Sequence, residues 1–76
     1  MAEQELVRLE VGFRGGDVLA ARVPAENADA LEERLRAGED GVVELQAEDS
    51  RYLVALAQVQ YVKRYARESR VGFSTR

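Results

Sequence analysis

Residues 7–23 read VRLEVGFRGGDVLAARV, two alternating apolar runs on either side of a paired glycine. Alternation with a period of two is typical of a β-strand with one buried face. Gly15 and Gly16 can supply the positive φ angles that a tight hairpin turn requires. This stretch therefore predicts a β-hairpin near the start of the chain, with strands at 7–13 and 18–23.

A helix is predicted to follow at 25–37. Pro24 suits a helix start, because its φ angle is fixed and its missing N–H is not needed there. Ala28, Leu31 and Leu35 recur at helical spacing and form a narrow apolar stripe. Gly38 is the predicted stop, since glycine adopts the left-handed cap conformation without strain.

Three further strands are predicted downstream. Residues 43–47 alternate apolar and polar, residues 51–56 are apolar on both faces, and residues 59–65 alternate with a shift of period near Val62. The order β-β-α-β-β-β predicts an α+β domain, with one antiparallel or mixed sheet covered on one face by one helix. The opposite face mixes charged and apolar residues and would suit a protein contact. Its members are Arg8, Glu10, Ala20, Arg22, Glu44, Gln46, Leu53 and Ala55.

Composition limits the function. The 76 residues are 46% hydrophobic and 33% charged, which indicates one globular domain with a core at 5–65 and a basic tail at 66–76. Cysteine and histidine are both missing, so thiolate and imidazole catalysis and the usual zinc and iron–sulfur ligand sets are excluded. We expect no enzyme, no cofactor and no metal. No apolar run approaches the roughly 20 residues of a membrane span, and the acidic start is unlike a signal peptide, so a cytoplasmic protein is expected.

Charge is divided along the chain. Residues 1–50 hold 13 acidic residues against five arginines, whereas residues 51–76 hold six basic residues and one acid, Glu68. The basic segment can pair with the acidic helix around Glu26, Asp29, Glu32 and Glu33, in the same chain or a neighbouring copy, and the low isoelectric point favours this. The alternative is binding of RNA or single-stranded DNA, because basic and aromatic side chains together hold phosphates and stack bases. The residues for that alternative are Lys63, Arg64, Tyr65, Arg67 and Arg70.

Self-association, or docking on a larger protein, is the leading functional prediction. A domain of this size buries only about 60% of its unfolded surface, and this one has no disulfide to add stability. A partner would cover the strand at 51–56, which is apolar on both faces. The predicted interface residues are Leu53, Ala55, Tyr61, Val71, Phe73, Glu32 and Glu33.

The C-terminal half shows a family resemblance. The segments GVVEL at 41–45, RYLV at 51–54, VQYV at 59–62 and SRVGF at 69–73 resemble a family of small actinobacterial proteins of unknown function. The resemblance implies a strand pair, a helix started by proline, a hairpin, a Tyr-Val segment and an Arg-Val-Gly-Phe close over about residues 6–73. This chain departs from the family at Lys63-Arg64-Tyr65, where an acidic residue is common. The family implies no activity.

Overall fold

The computed structural model describes residues 5–65, which form five strands and one α-helix. The elements are β1 at Leu6–Phe13, β2 at Val18–Pro24, α1 at Ala25–Arg36, β3 at Val42–Gln46, β4 at Arg51–Ala55, a 3₁₀ turn at Leu56–Gln58, and β5 at Val59–Arg64. The α+β class and the order β-β-α-β-β-β are confirmed, and every element agrees with its predicted boundaries to within one residue.

The first hairpin closes through the predicted glycine turn. The Phe13 N–H donates to the Asp17 carbonyl at 2.9 Å, and the Gly16 N–H donates to the Phe13 carbonyl at 3.0 Å. Gly15 and Gly16 have φ angles of +95° and +105°, a region that residues with a Cβ rarely enter. The turn therefore sets the register of β1 against β2.

The strands form two sheets, and the prediction of a single sheet is wrong. β1 lies between β2 and β5 in a three-stranded sheet, while β3 pairs only with β4. The cause is visible at Asn27 of α1, whose side chain occupies the place of a neighbouring strand beside β3. Its amide nitrogen donates to the Glu44 carbonyl at 2.9 Å, and its amide oxygen accepts the Gln46 N–H at 2.7 Å. The helix thus separates the two sheets along this edge.

The hydrophobic core lies between α1 and the inner faces of both sheets. Ala28 and Leu31 of the predicted helical stripe are completely buried, and Leu35 is partly buried against them. The inner sides of β1 to β4 and the 3₁₀ turn supply the remaining buried apolar residues. These are Leu9, Val11, Val23, Val43, Leu45, Val54 and Leu56.

The fifth strand contains an irregularity. The pairing of β1 with β5 shifts between Gly12 and Phe13 and leaves Gln60 without a register partner. An extra residue of this kind is a β-bulge, which changes the face on which the following side chains lie. Val59 and Val62 therefore both pack against the core although they are three positions apart. The sequence predicted a shift of period near Val62, with Val59 and Tyr61 on the same side. The structure places the irregularity at Gln60, so Tyr61 lies on the opposite side of β5 from Val59.

Candidate functional site

Two outward-facing surfaces carry the candidate residues. The hairpin surface is the outer side of β3 and β4 together with the outer edge of β4, and its residues are Val42, Glu44, Arg51, Leu53 and Ala55. The sheet surface is the outer side of the three-stranded sheet, and its residues are Arg8, Glu10, Gly12, Val18, Ala20, Arg22, Tyr61, Lys63 and Tyr65. The single mixed face predicted from the sequence is therefore divided between two separate surfaces.

Helix α1 covers the outer edge of β3. Besides the two hydrogen bonds of Asn27, the Arg34 guanidinium donates from Nη1 to the Val42 carbonyl at 3.2 Å. Its Nε also donates to the Glu39 carboxylate at 2.9 Å, which holds the side chain in place. The bonds from Asn27 and Arg34 engage the outward carbonyls of Val42 and Glu44 and the outward N–H of Gln46, so a further strand could pair here only by displacing the helix side chains. The helix therefore closes this side of the hairpin.

Among the described residues 5–65, nothing pairs with the outer edge of β4, which we call the open edge. The Leu56 N–H donates to the Gly41 carbonyl and the Ala47 N–H donates to the Ser50 carbonyl, both at 2.8 Å. Because bonded and non-bonded pairs alternate in an antiparallel ladder, the backbone groups of Leu53 and its odd-numbered neighbours in β4 point away from β3. Within residues 5–65 no strand lies along that side.

Apolar side chains are exposed beside this open edge. Leu53 is 70% exposed and Val42 is 53% exposed, and Ala55 lies directly across the ladder from Val42. Arg51 and Glu44 flank them, with 3.7 Å between guanidinium and carboxylate. Leu53 and Ala55, two of the predicted interface residues, therefore lie together at an apolar patch with a polar rim.

A shallow groove of about 320 Å³ adjoins the same edge. It runs between β4 and the start of β2, and its walls include Phe13, Leu19 and Tyr52, all of which are partly buried. Asp17 is the acidic residue at its border. The groove extends the apolar patch around the edge of β4 toward the first hairpin.

On the sheet surface, the Tyr61 ring covers Gly12. A Cβ atom at Gly12 would clash with this ring, which fills the space directly above the glycine. Gly12 is buried as a result, whereas Tyr61 remains 45% exposed. Tyr61 is a predicted interface residue, but the structure places it on the other surface from Leu53.

Tyr65 lies between cations of the sheet surface. The Arg8 guanidinium carbon and the Lys63 ammonium nitrogen each lie 4.6 Å from the centre of its ring. Cation–π contacts at this distance hold side chains in position with about 0.5–1 kcal/mol at exposed sites. Arg22 lies directly across the ladder from Arg8. In residues 5–65 no carboxylate reaches ion-pair distance of Arg8, Arg22 or Lys63.

Arg64 lies on the opposite side of β5 from Lys63. Its Nη1 donates to Asp29 at 2.8 Å and to Glu32 at 3.0 Å. These hydrogen bonds, first that of Asp29 and then that of Glu32, raise the pKa of the Arg64 guanidinium above its ordinary value. Pairing of a basic residue with the acidic helix, one of the two interpretations of the basic segment, is thus realised within the chain at Arg64.

The remaining predicted site residues are dispersed. Glu32 also lies 3.8 Å from Arg36, so it is engaged within the chain, whereas Glu33 is exposed on α1. Four further candidates lie outside the described residues, namely Arg67, Arg70, Val71 and Phe73. In the described part of the chain, no group of three or more acidic side chains is placed to hold a metal ion, and no helix is long and apolar enough to cross a membrane.

No role was assigned from the sequence to Asn27 or Gly12, and Arg8 and Arg22 were placed on the mixed face without recognition that they lie opposite each other. The function of Asn27 at the edge of β3 has no local signal, because it depends on where the helix lies. Arg8 and Arg22 had a usable signal, since the glycine turn sets the register that places them opposite each other. Gly12 could be recognised only once β5 was known to pair beside it.

No protein-family model, curated protein or solved structure matches the chain. The resemblance to the small actinobacterial family therefore stays a prediction. The functional proposals below depend on the geometry of the two surfaces alone.

Proposed function

We propose that this protein is a non-enzymatic interaction protein that assembles with a second copy of itself through β4. The observation that carries the proposal is the open edge of β4, where Leu53 is 70% exposed. An unpaired strand edge readily accepts a further strand through backbone hydrogen bonds. A cytoplasmic location is part of the proposal, supported by a small domain without cysteine.

The backbone geometry of β4 is compatible with an antiparallel register centred on Leu53, which is the central of the three outward-facing residues. A two-fold axis there places Leu53 opposite Leu53 of the second copy, and Arg51 opposite Ala55. All three residues point their N–H and C=O groups outward, so they meet as hydrogen-bonded pairs, each of which exchanges two backbone bonds. The same surface is used by both copies, and the assembly closes as a dimer.

Charge supports the same register. Centring the contact on Arg51 would place two guanidinium groups directly opposite each other, which is destabilising. Centring it on Leu53 sets Arg51 beside the small Ala55 and next to Val42, where its aliphatic stem can cover apolar surface. The two leucines then form the apolar centre of the contact.

Dimerisation would also enlarge the smaller sheet. A two-stranded hairpin is stable only with further strands or with packing against a helix, and in the single chain β3 and β4 depend on their contacts with α1 and the core. Joining β4 to β4 of a second copy makes one four-stranded sheet from two hairpins. The contact therefore extends the smaller sheet as well as covering Leu53.

Light scattering tests the assembly. We expect the wild-type chain to have twice its 8.5 kDa mass at micromolar concentration and Leu53→Glu to be monomeric. Ala20→Glu is the matched control, because it places the same charge on an exposed strand position of the other sheet. A monomeric wild-type protein at high micromolar concentration, or equal effects of the two variants, would contradict the proposal.

Cross-linking tests the register, because the chain has no cysteine of its own. Hydrogen-bonded antiparallel pairs have Cα atoms about 5.5 Å apart, within the range of a disulfide. Leu53→Cys should therefore form a covalent dimer on mild oxidation. Glu44→Cys should not, since the two Glu44 positions would be separated by both β4 strands. Efficient cross-linking at Glu44 would show a different arrangement.

A further inference from the structure

We propose that the sheet surface binds single-stranded RNA, independently of the assembly through β4. Three adjacent strands bring Arg8, Arg22 and Lys63 to one face, although the chain carries a net charge of −3. Nucleic-acid binding predicted from the sequence involved the C-terminal segment alone. In the tertiary structure, Arg8, Arg22 and Tyr61 share the face of Lys63. Arg64 lies on the other side of β5 and binds Asp29 of α1.

Within residues 5–65 the cations of the sheet surface have no carboxylate partner, and Arg14 in the first turn is the one other arginine there without one. Arg8 and Arg22 lie directly across the ladder from each other, and like charges in that position cost free energy. A phosphate group bound between them would remove this repulsion. By contrast, each of the other four arginines lies within 3.8 Å of an acidic side chain. They are Arg34, Arg36, Arg51 and Arg64.

Tyr61 offers a flat platform beside these cations. Its ring rests on Gly12, where any side chain would displace it, and it remains 45% exposed. Aromatic rings on the open face of a sheet stack unpaired bases in common RNA-binding modules. Tyr65 meanwhile holds Arg8 and Lys63 at 4.6 Å from its ring, so these two cations are partly ordered before a ligand arrives.

Glu10 points to RNA as the occupant. It is the one acidic residue of the sheet surface, opposite Lys63 in the register, and within residues 5–65 it forms no ion pair. A carboxylate repels phosphate and acidic protein, but it accepts hydrogen bonds from hydroxyl groups. The 2′-hydroxyl is the group by which proteins distinguish RNA from DNA. Glu10 therefore favours a ribose beside the cations.

Fluorescence anisotropy of a labelled, short, mixed-sequence single-stranded RNA tests the proposal with the full-length chain. We expect micromolar affinity that falls with salt, with a log–log slope of about −2 for three phosphate contacts. Arg22→Glu combined with Lys63→Glu should abolish binding. Arg22→Glu alone should weaken binding, whereas Arg36→Glu, the same charge change at a helix position whose side chain is 76% exposed, should change it little. Thermal melting of each variant confirms that it is folded.

Three further binding measurements test base stacking, the preference for RNA over DNA and the independence from dimerisation. Tyr61→Leu should weaken binding about fivefold or more, and Tyr61→Phe should restore it, because stacking needs the ring and not the hydroxyl. DNA of the same sequence should bind more weakly than RNA. The monomeric Leu53→Glu variant should retain RNA binding, which distinguishes this proposal from the assembly.

Several results would overturn the assignment. They are no binding at low salt, equal affinity for RNA and DNA, and binding that survives the double variant but is lost when Arg67 and Arg70 are changed to glutamate. The last result would move the site to the C-terminal tail.

Discussion

The two strands of the β3–β4 hairpin both bury one face in the core, but their outer edges have opposite surroundings. Along β3, Asn27 and Arg34 of α1 bond to the outward-facing backbone groups. Along β4, residues 5–65 provide no such neighbour, and Leu53 is exposed. The helix covers one edge and cannot reach the other. Two polar side chains on a helix therefore decide which strand of this hairpin is available for association.

The same helix also contacts the larger sheet. Asp29 and Glu32 bind Arg64 of β5, while Asn27 binds β3. Helix α1 thus joins the two sheets through polar contacts on two of its sides, around an apolar stripe that fills the core. Loss of either set of contacts should loosen the sheets relative to each other.

The largest contrast is expected between two leucines of the hairpin. Leu45→Ala should lower the free energy of unfolding by about 2–5 kcal/mol, since it leaves a cavity at a completely buried position. Leu53→Ala should change the stability of the monomer little and weaken the dimer. Urea denaturation over a range of protein concentrations separates the effects. Equal losses of unfolding free energy in the two variants would contradict the assignment of Leu45 to the core and Leu53 to the exposed surface.

Removal of the Asn27 side chain tests the closed edge directly. Asn27→Ala leaves the Glu44 carbonyl and the Gln46 N–H without their partner and should cost about 1–3 kcal/mol. It should also open β3 to pairing, so species larger than a dimer should appear in light scattering. Asn27→Asp, which keeps an acceptor for Gln46 but cannot donate to Glu44, should lie between. Unchanged stability and size in Asn27→Ala would refute the role assigned to the helix.

A smaller effect is expected at Arg64. A double-mutant cycle with Arg64→Gln and Asp29→Asn should give a coupling of up to about 1 kcal/mol that falls with salt, since the pair is partly solvated. The pKa of Arg64 is raised on folding, so its contribution is fully present below its unfolded pKa and is lost only as pH rises through its folded pKa. The coupling should therefore be constant from neutral to moderately alkaline pH. A coupling that disappears at moderately alkaline pH would argue against this contact.

The smallest effect is expected for Arg34 of α1, which bonds to Val42 at the exposed start of β3. Arg34→Met removes the hydrogen bond to Val42 and the ion pair with Glu39 and should lower stability by about 0.5 kcal/mol. Arg36→Met serves as the control in the same helical turn. Chemical denaturation of the two variants side by side would measure the difference, and equal values would mean that Arg34 adds nothing to the closure of the edge.

Local sequence patterns were sufficient to predict most of the secondary-structure elements. The alternation in β1, the paired glycines and the stripe of Ala28, Leu31 and Leu35 each report a short-range preference that the core reinforces. The irregularity in β5 was expected near Val62 but lies at Gln60, because its position depends on the pairing with β1. No sequence pattern predicted the division into two sheets, because this division depends on a side chain of α1 that bonds to a strand 17 residues away.

The candidate surfaces, too, were predictable only in part. Leu53 and Ala55 were identifiable because a strand that is apolar on both faces requires cover on both. Their separation from Tyr61, by contrast, followed only from the arrangement of the two sheets. Arg64 and Lys63 are adjacent in the chain and lie on opposite sides of β5, and only the register shows which of them meets the acidic helix.

The amino-acid sequence by itself determined the order and extent of the elements, the buried side of each and the exclusion of thiolate and imidazole chemistry, because these depend on composition and on periods of two to four residues. The tertiary structure alone decided which strand edge stays open, which cations lie together without an acidic partner and which aromatic ring lies over a glycine. These features arise between residues distant in the chain, where packing and hydrogen bonding depend on the position of whole elements.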